Sequence, residues 1–253
     1  MGASLIPMSV SGFEFYGLII LSFFTSFVTA AFGIGGGSIL LAVMANIVPA
    51  KALIPVHGTI QFGSNIGRAA LLLKQVDQPR LVWFTIGSSV GAVIGGNLVI
   101  SLPSQIIQLA LGCFIVYLVF RPSFKNSRLD KTQTILVGLS STLLTMFVGA
   151  TGPFVLAKIK GTILGSADLV ATFSSMMVVQ HGFKIAVFGY LGFAFHQYWG
   201  LILAMIITGF LGTFVGKKVL LKIPKSTFTR IMNAILLLLA LKLIVSALMQ
   251  FCS

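Results

Sequence analysis

The sequence predicts an all-α integral membrane protein made of two inverted five-element repeats, and three observations support this fold class. First, 57% of the 253 residues are hydrophobic and only 8% are charged, whereas an ordinary soluble domain carries about a quarter charged residues. Second, several apolar runs have the length of membrane-spanning helices. Third, the two halves share the same order of features. The composition excludes both a water-soluble globule and a disordered chain.

Ten apolar segments, five in each half, predict the helices. In the first half they are 12–32, 38–49, 52–74, 80–100 and 104–120. In the second half they are 132–149, 153–160, 166–190, 196–217 and 226–250. Each half is expected to hold a broken-helix hairpin followed by about three full transmembrane helices. The expected divisions of the chain are a first repeat at 1–120, a basic cytoplasmic linker at 121–131 and a second repeat at 132–253.

The second half repeats features of the first. An offset of 116 residues pairs Thr29 with Thr145, Gly33 with Gly149, Gly36 with Gly152, and Arg68 with Lys184. A later offset of 121 residues pairs Gly91 with Gly212 and Gly95 with Gly216. Each fourth segment contains three glycines at helical spacing, which predicts close helix packing; they are Gly87, Gly91, Gly95, Gly209, Gly212 and Gly216.

Charge predicts that the second half is inverted relative to the first. Short cytoplasmic loops collect Lys and Arg. The basic stretches of this chain are Lys74 with Arg80, 121–131, Lys158 with Lys160, and 217–225. Five elements per half, with the second half upside down, place all four stretches on one face. We therefore expect the linker in the cytoplasm and both termini outside it. Inverted repeats that meet near the membrane midplane are the architecture of many secondary transporters.

A glycine cluster interrupts each half at an equivalent place, with GIGGG at 33–37 and GATGP at 149–153. Glycine and proline end helices, so we expect two helical hairpins with tips near the membrane midplane. Helix N-termini and free backbone N–H groups at such tips suit a bound anion. The alternative is two tight interhelical turns at the membrane surface. The candidate substrate-binding residues here are Gly33, Gly35, Gly36, Gly37, Gly149, Thr151 and Gly152.

Polar residues line one face of the third segment in each half. In the first half their spacing of i, i+3, i+4 and i+7 places them on the same helix face. A central charge in lipid costs about 2.5–3.5 kcal/mol, so these groups should face a cavity or each other. The further candidate substrate-binding residues are Gln61, Ser64, Asn65, Arg68, Gln180, His181 and Lys184.

Some of these residues have a second interpretation. His57 is a candidate for gating or proton transfer, and the alternative is a structural hydrogen bond. Asn65 and His181 could likewise brace the hairpins. Arg68 lies close enough to the basic face that its side chain could extend to that surface instead.

The charged residues also narrow the function. The four acids, Glu14, Asp77, Asp130 and Asp168, offer no paired carboxylates and no multi-carboxylate metal site. We therefore expect no catalytic residue, no metal and no cofactor. We also expect no nucleic-acid partner, because the apolar runs indicate that the net charge of +13 belongs to a membrane protein. A cation carrier is disfavoured by Arg68 and Lys184. The alternatives to a transporter are a membrane assembly subunit or a membrane-embedded enzyme.

These features together resemble the TauE/SafE family of sulfite and organosulfonate exporters. The resemblance rests on the break in TSFVTAAFGIGGGSILLAVM, a following helix that opens with Ala-Leu and proline, and a weaker repeat of both after the basic linker. It covers essentially the whole chain. The family's break matches at Gly33, Gly35, Gly36 and Gly37, and its counterpart, which has fewer glycines, at Gly149, Gly152 and Pro153.

The resemblance implies a multi-pass inner-membrane protein that is not an enzyme. Its partners would be the lipid bilayer and a small sulfur-containing anion such as sulfite or an organosulfonate. The expected function is therefore export of this anion by alternating access around a midplane site at the two breaks.

Overall fold

The structure is a computed structural model, and it describes residues 5–32, 35–99, 103–120, 129–149, 151–159, 162–163, 166–218 and 225–252. Within these ranges the chain forms ten α-helices and two short 3₁₀ helices, with no strand. The fold is therefore all-α, as the composition predicts. Most of the basic linker, residues 121–128, lies outside the described residues.

The ten helices follow the ten predicted segments. The first five are α1 (Gly12–Phe32), α2 (Gly36–Met44), α3 (Ala50–Ala70), α4 (Gln78–Val99) and α5 (Ser104–Phe120). The second five are α6 (Lys131–Val148), α7 (Gly152–Ile159), α8 (Ser166–Tyr190), α9 (Trp199–Lys218) and α10 (Lys225–Cys252).

Two predicted helix ends are wrong by several residues. The second segment was expected to reach residue 49, but α2 ends at Met44, residues 45–48 form turns, and Pro49 caps the start of α3. The third segment was expected to reach residue 74, but α3 ends at Ala70 and is followed by a 3₁₀ helix at Leu73–Gln75.

Two long helix pairs, α1 with α9 and α4 with α6, depend on glycine for their close contact. A Cβ atom at Gly212 would overlap the carbonyl oxygen of Phe23, and one at Gly87 would overlap that of Ile135. Because the partner atoms belong to the backbone, they cannot move aside as a side chain could. The packing role predicted for the glycines of the fourth segments is therefore confirmed at these positions.

Several of the contacts between helices come in matching pairs, whereas the α2–α10 and α5–α6 contacts have no counterpart of similar extent. α3 packs against α8, and α5 packs against α10. The α1–α9 pair corresponds to α6–α4, the α3–α9 pair to α8–α4, and the α1–α2 pair to α6–α7. Exchanging each helix for the one five places along the chain therefore leaves this set of contacts unchanged.

Several helices have the character of membrane spans. Gly12–Ala30, Gln78–Val99 and Phe195–Gly216 are long and apolar enough to cross a bilayer, and Gln105–Tyr117 and Leu236–Phe251 are shorter apolar helices. The outer helices also expose large apolar side chains, including Phe13 and Phe24 on α1 and Phe210 on α9. At 1.5 Å per residue, α2 and α7 are only about 12–13 Å long. Each is therefore too short to cross a bilayer alone.

Candidate substrate site

The first break separates α1 from α2. Gly35 has φ 105°, a conformation that glycine adopts far more readily than other residues, and it caps α2 without any side-chain hydrogen bond to the helix end. Gly36 and Gly37 were predicted to belong to the unwound segment, but they form the first turn of α2. Gly33 lies outside the described residues.

Gly36 also has a packing role in the first hairpin. A Cβ atom at this position would overlap the carbonyl oxygen of Thr25 on α1. The start of α2 therefore lies directly on the backbone of α1, and only glycine allows this approach.

The polar stripe of α3, the helix face that carries His57, Gln61, Asn65 and Arg68, contacts the first break through its first residues. The Nε2 atom of His57 lies 3.1 Å from the carbonyl oxygen of Gly37, and the side-chain nitrogen of Gln61 lies 3.3 Å from the same ring atom. A Cβ atom at Gly37 would overlap the Gln61 amide. His57 therefore makes a structural hydrogen bond to the first hairpin, as in the second interpretation given for it above. The start of α2 packs against this part of α3.

The stripe continues along α3 to a buried arginine. Asn65 donates to the carbonyl oxygen of Gln61 at 2.7 Å, and its own side-chain oxygen accepts a hydrogen bond from Nη2 of Arg68 at 3.0 Å. Ser64, on the same face, is also buried. Arg68 is only 8% exposed, and its Nη1 atom has no hydrogen-bond partner. The guanidinium group is therefore held inside the helix bundle and does not extend to the surface.

The second break is closed by a fully buried lysine. Gly149 ends α6 with φ 76°. Lys184 of α8 donates to the Thr145 hydroxyl at 2.9 Å and to the carbonyl oxygen of Gly149 at 3.0 Å, and Thr145 donates to the same carbonyl at 3.0 Å. A cation at the C-terminal end of a helix complements the partial negative charge there. Lys184 therefore stabilises the point where α6 stops.

A second polar cluster lies beside Lys184. Thr151 donates to the Gln180 side-chain oxygen at 3.0 Å, and the Gln180 nitrogen donates to Ser141 and Thr142 at 3.0 and 3.3 Å. Ser141, Thr142 and Thr145 were not among the site residues predicted from the sequence. Their spacing was the available signal, since it places polar groups on one face of α6.

The two breaks approach each other across α3. A Cβ atom at Gly149 would lie 3.0 Å from the side chains of Leu41 on α2 and Ile54 on α3. The Lys184 side chain passes directly over Gly58 of α3. His57 and Gln61, which contact the first break, lie on the same stretch of α3. The middle of α3 therefore contacts both hairpins.

The remaining predicted site residues are His181 and Gly152. His181 is buried on α8, within electrostatic range of Lys184, His57 and Arg68, and its Nδ1 atom has no hydrogen-bond partner. Gly152 begins α7, and a Cβ atom there would lie 3.4 Å from Phe173 and 3.6 Å from the sulfur of Met177. Unlike Gly36, Gly152 has room for a small side chain.

The charge of this region is positive and uncompensated by acids. Arg68 and Lys184 are both buried. The ion pair seen among the described residues lies elsewhere, between Arg80 and Asp77 at 3.4 Å. The polar side chains that surround the two cations are hydroxyls, amides and imidazoles. This chemistry leaves room for an anion as the missing counter-charge.

The family model for sulfite exporter TauE/SafE matches residues 18–243, a range that includes both breaks. The chain belongs to the TauE/SafE family. Its family and its apolar helices make it a multi-pass membrane protein, and the family implies a transporter of the sulfite or organosulfonate exporter type. No curated protein and no solved structure matches the chain.

Proposed function

We propose that this TauE/SafE protein is a secondary transporter that exports small sulfur-containing anions, such as sulfite or organosulfonates, by alternating access around a site at the two breaks. One observation carries the proposal: two buried cations, Lys184 at the second break and Arg68 on the polar face of α3, have no carboxylate bound to either among the described residues. Isolated charges are costly inside a membrane protein. An anionic substrate would supply the missing counter-charge each time it binds.

The proposed mechanism uses the two halves as inverted repeats. The exchange of equivalent helices leaves the main contacts unchanged, and this supports a pseudo-two-fold relation between the halves. Under that relation α3 and α8, which carry the polar stripes, lie next to the axis. Rocking of one repeat against the other would then open the same site alternately to each face of the membrane.

The proposed orientation places both termini outside the cytoplasm of the cell and the basic linker inside. Its support is the distribution of Lys and Arg over the loops. Single cysteines at Met8 and Thr132, which are both exposed, test it in a chain without Cys113 and Cys252. An impermeant thiol reagent added to intact cells should label Met8→Cys only. Labelling of both, or of Thr132→Cys alone, would overturn this orientation.

A flux measurement tests the transport function. Purified protein in liposomes should move sulfite or methanesulfonate down a gradient faster than protein-free liposomes. Arg68→Gln should lower the flux by about tenfold or more, because it removes a charge-assisted donor. Lys51→Gln is the matched control, since Lys51 is exposed on the same helix, and it should transport at the wild-type rate. Equal flux with and without the protein, for both anions, would contradict the proposal.

A further inference from the structure

We infer that the two buried cations have different tasks: Arg68 binds the transported anion, and Lys184 holds the second break in place. The inference deepens the proposed function and rests on it. It departs from the sequence repeat, which pairs the two residues and predicts equivalent roles for them.

The contacts of Lys184 are those of a structural group. Its ammonium nitrogen donates to Thr145 and to the carbonyl oxygen of Gly149, both at the end of α6. Its alkyl chain is packed against Gly58, and the side chain is completely buried. Two of its three N–H donors therefore have partners within the protein, and the charge is placed against the C-terminal end of a helix, where it is favourable without any ligand.

Arg68 has unused donor capacity. A guanidinium group offers five N–H donors in a planar fork that fits an oxyanion. Arg68 uses Nη2 to bond Asn65, whereas Nη1 is buried without a partner. An unsatisfied buried donor is costly, and a bound oxyanion would satisfy this one. Asn65, fixed in turn by the Gln61 carbonyl, orients the guanidinium.

The N-terminal ends of α2 and α7 differ in the number of backbone N–H donors that they carry. The start of α2 has no side-chain cap, and its first residues, Gly36 and Gly37, both carry a backbone N–H. The start of α7 contains Pro153 directly after Gly152, and proline has no N–H to offer. The first turn of α2 therefore has more backbone donors for an anion than the first turn of α7. It contacts Gln61 of α3, whose carbonyl oxygen holds Asn65, the partner of Arg68.

The experiment compares two substitutions that each remove one positive charge at equivalent positions of the repeat, Arg68→Gln and Lys184→Gln. The measurement is the thermal midpoint of unfolding in detergent, over a titration with sodium sulfite and with sodium chloride of equal ionic strength. Arg68→Gln should weaken the apparent affinity for sulfite by about tenfold to a hundredfold. Its midpoint without sulfite should match or exceed that of the wild type.

Lys184→Gln should show the opposite pattern. Its midpoint without sulfite should fall, because the Gly149 carbonyl loses its cation, while its affinity for sulfite should stay within about threefold of the wild type. Thr145→Val removes the hydroxyl partner without changing the charge. It should reproduce the Lys184→Gln pattern in milder form, so the test stands even if Lys184→Gln does not fold.

Two results would contradict the division of tasks between Arg68 and Lys184 without contradicting the proposed function. One is a wild-type affinity for sulfite in Arg68→Gln. The other is a lost affinity for sulfite in Lys184→Gln at an unchanged thermal midpoint. If the wild type responds to neither sulfite nor methanesulfonate, the anion-transport proposal fails and the assignment fails with it. A wild type that responds, together with two variants that lose the response equally, contradicts only the division of tasks.

Discussion

The two breaks each use a glycine with positive φ, but they place it at different helix ends and have different side chains around it. Gly35 lies directly before α2, whereas Gly149 ends α6. At the second break Thr145 and Lys184 bond the carbonyl oxygen of Gly149. In the first half, the offset of 116 residues pairs these two with Thr29, which donates to Thr25 within α1, and with Arg68, whose Nη1 atom has no partner.

This difference lies in the groups that hold the two helix ends. Side chains of α6 and α8 bond the carbonyl oxygen at which α6 ends, whereas at the first break His57 of α3 bonds the carbonyl oxygen of Gly37, in the first turn of α2. We therefore expect the two breaks to respond differently to matched substitutions. Three further predictions test this contrast, beginning with the largest expected effect.

The largest difference should appear between Gly36→Ala and Gly152→Ala. The added methyl group at Gly36 would overlap the backbone of α1, so the variant should lose about 1–3 kcal/mol or more of stability. At Gly152 the same group meets only ordinary contacts, and the change should stay below about 1 kcal/mol. Thermal unfolding in detergent measures both. Equal losses in the two variants would mean that the hairpins pack alike.

The second prediction concerns the two glycines with positive φ, and the loss of stability on substitution should be similar at both breaks. Gly35→Ala and Gly149→Ala each force an L-residue into positive φ, which costs about 1–2 kcal/mol. Gly12→Ala, in open surroundings at the start of α1, serves as the control and should be nearly neutral. The same unfolding measurement applies. A neutral result at only one break would show that its backbone turns in a different way from the other.

The smallest contrast concerns the two related threonines. Thr145→Val removes a hydroxyl that bonds both Lys184 and Gly149, and we expect a loss of about 1–2 kcal/mol. Thr29→Val removes only a bond within its own helix and should cost a few tenths of a kcal/mol at most. A Thr29→Val loss as large as that of Thr145→Val would indicate that Thr29 supports the first break as Thr145 supports the second.

The sequence predicted the helices well because their signals are local. Apolar runs end where glycine or proline ends a helix, so α1, α5 and α8 begin and end at the predicted residues. The helical period also grouped His57, Gln61 and their neighbours on one face. Besides the ends of α2 and α3, the errors lie at Gly36 and Gly37, which look like loop residues but begin α2, since glycine is as compatible with a close helix contact as with a turn.

The sequence by itself determined which segments form apolar helices, where glycine interrupts each half, and which polar groups are costly to expose to lipid. All three follow from composition and spacing within single segments. Only the tertiary structure decided the partners of those groups. The offset of 116 residues pairs Lys184 with Arg68, yet one bonds the carbonyl of Gly149 and the other leaves Nη1 unpaired. The reason is that a buried side chain's hydrogen bonds depend on which atoms the neighbouring helices bring within about 3 Å, and the spacing of residues along one helix does not specify that.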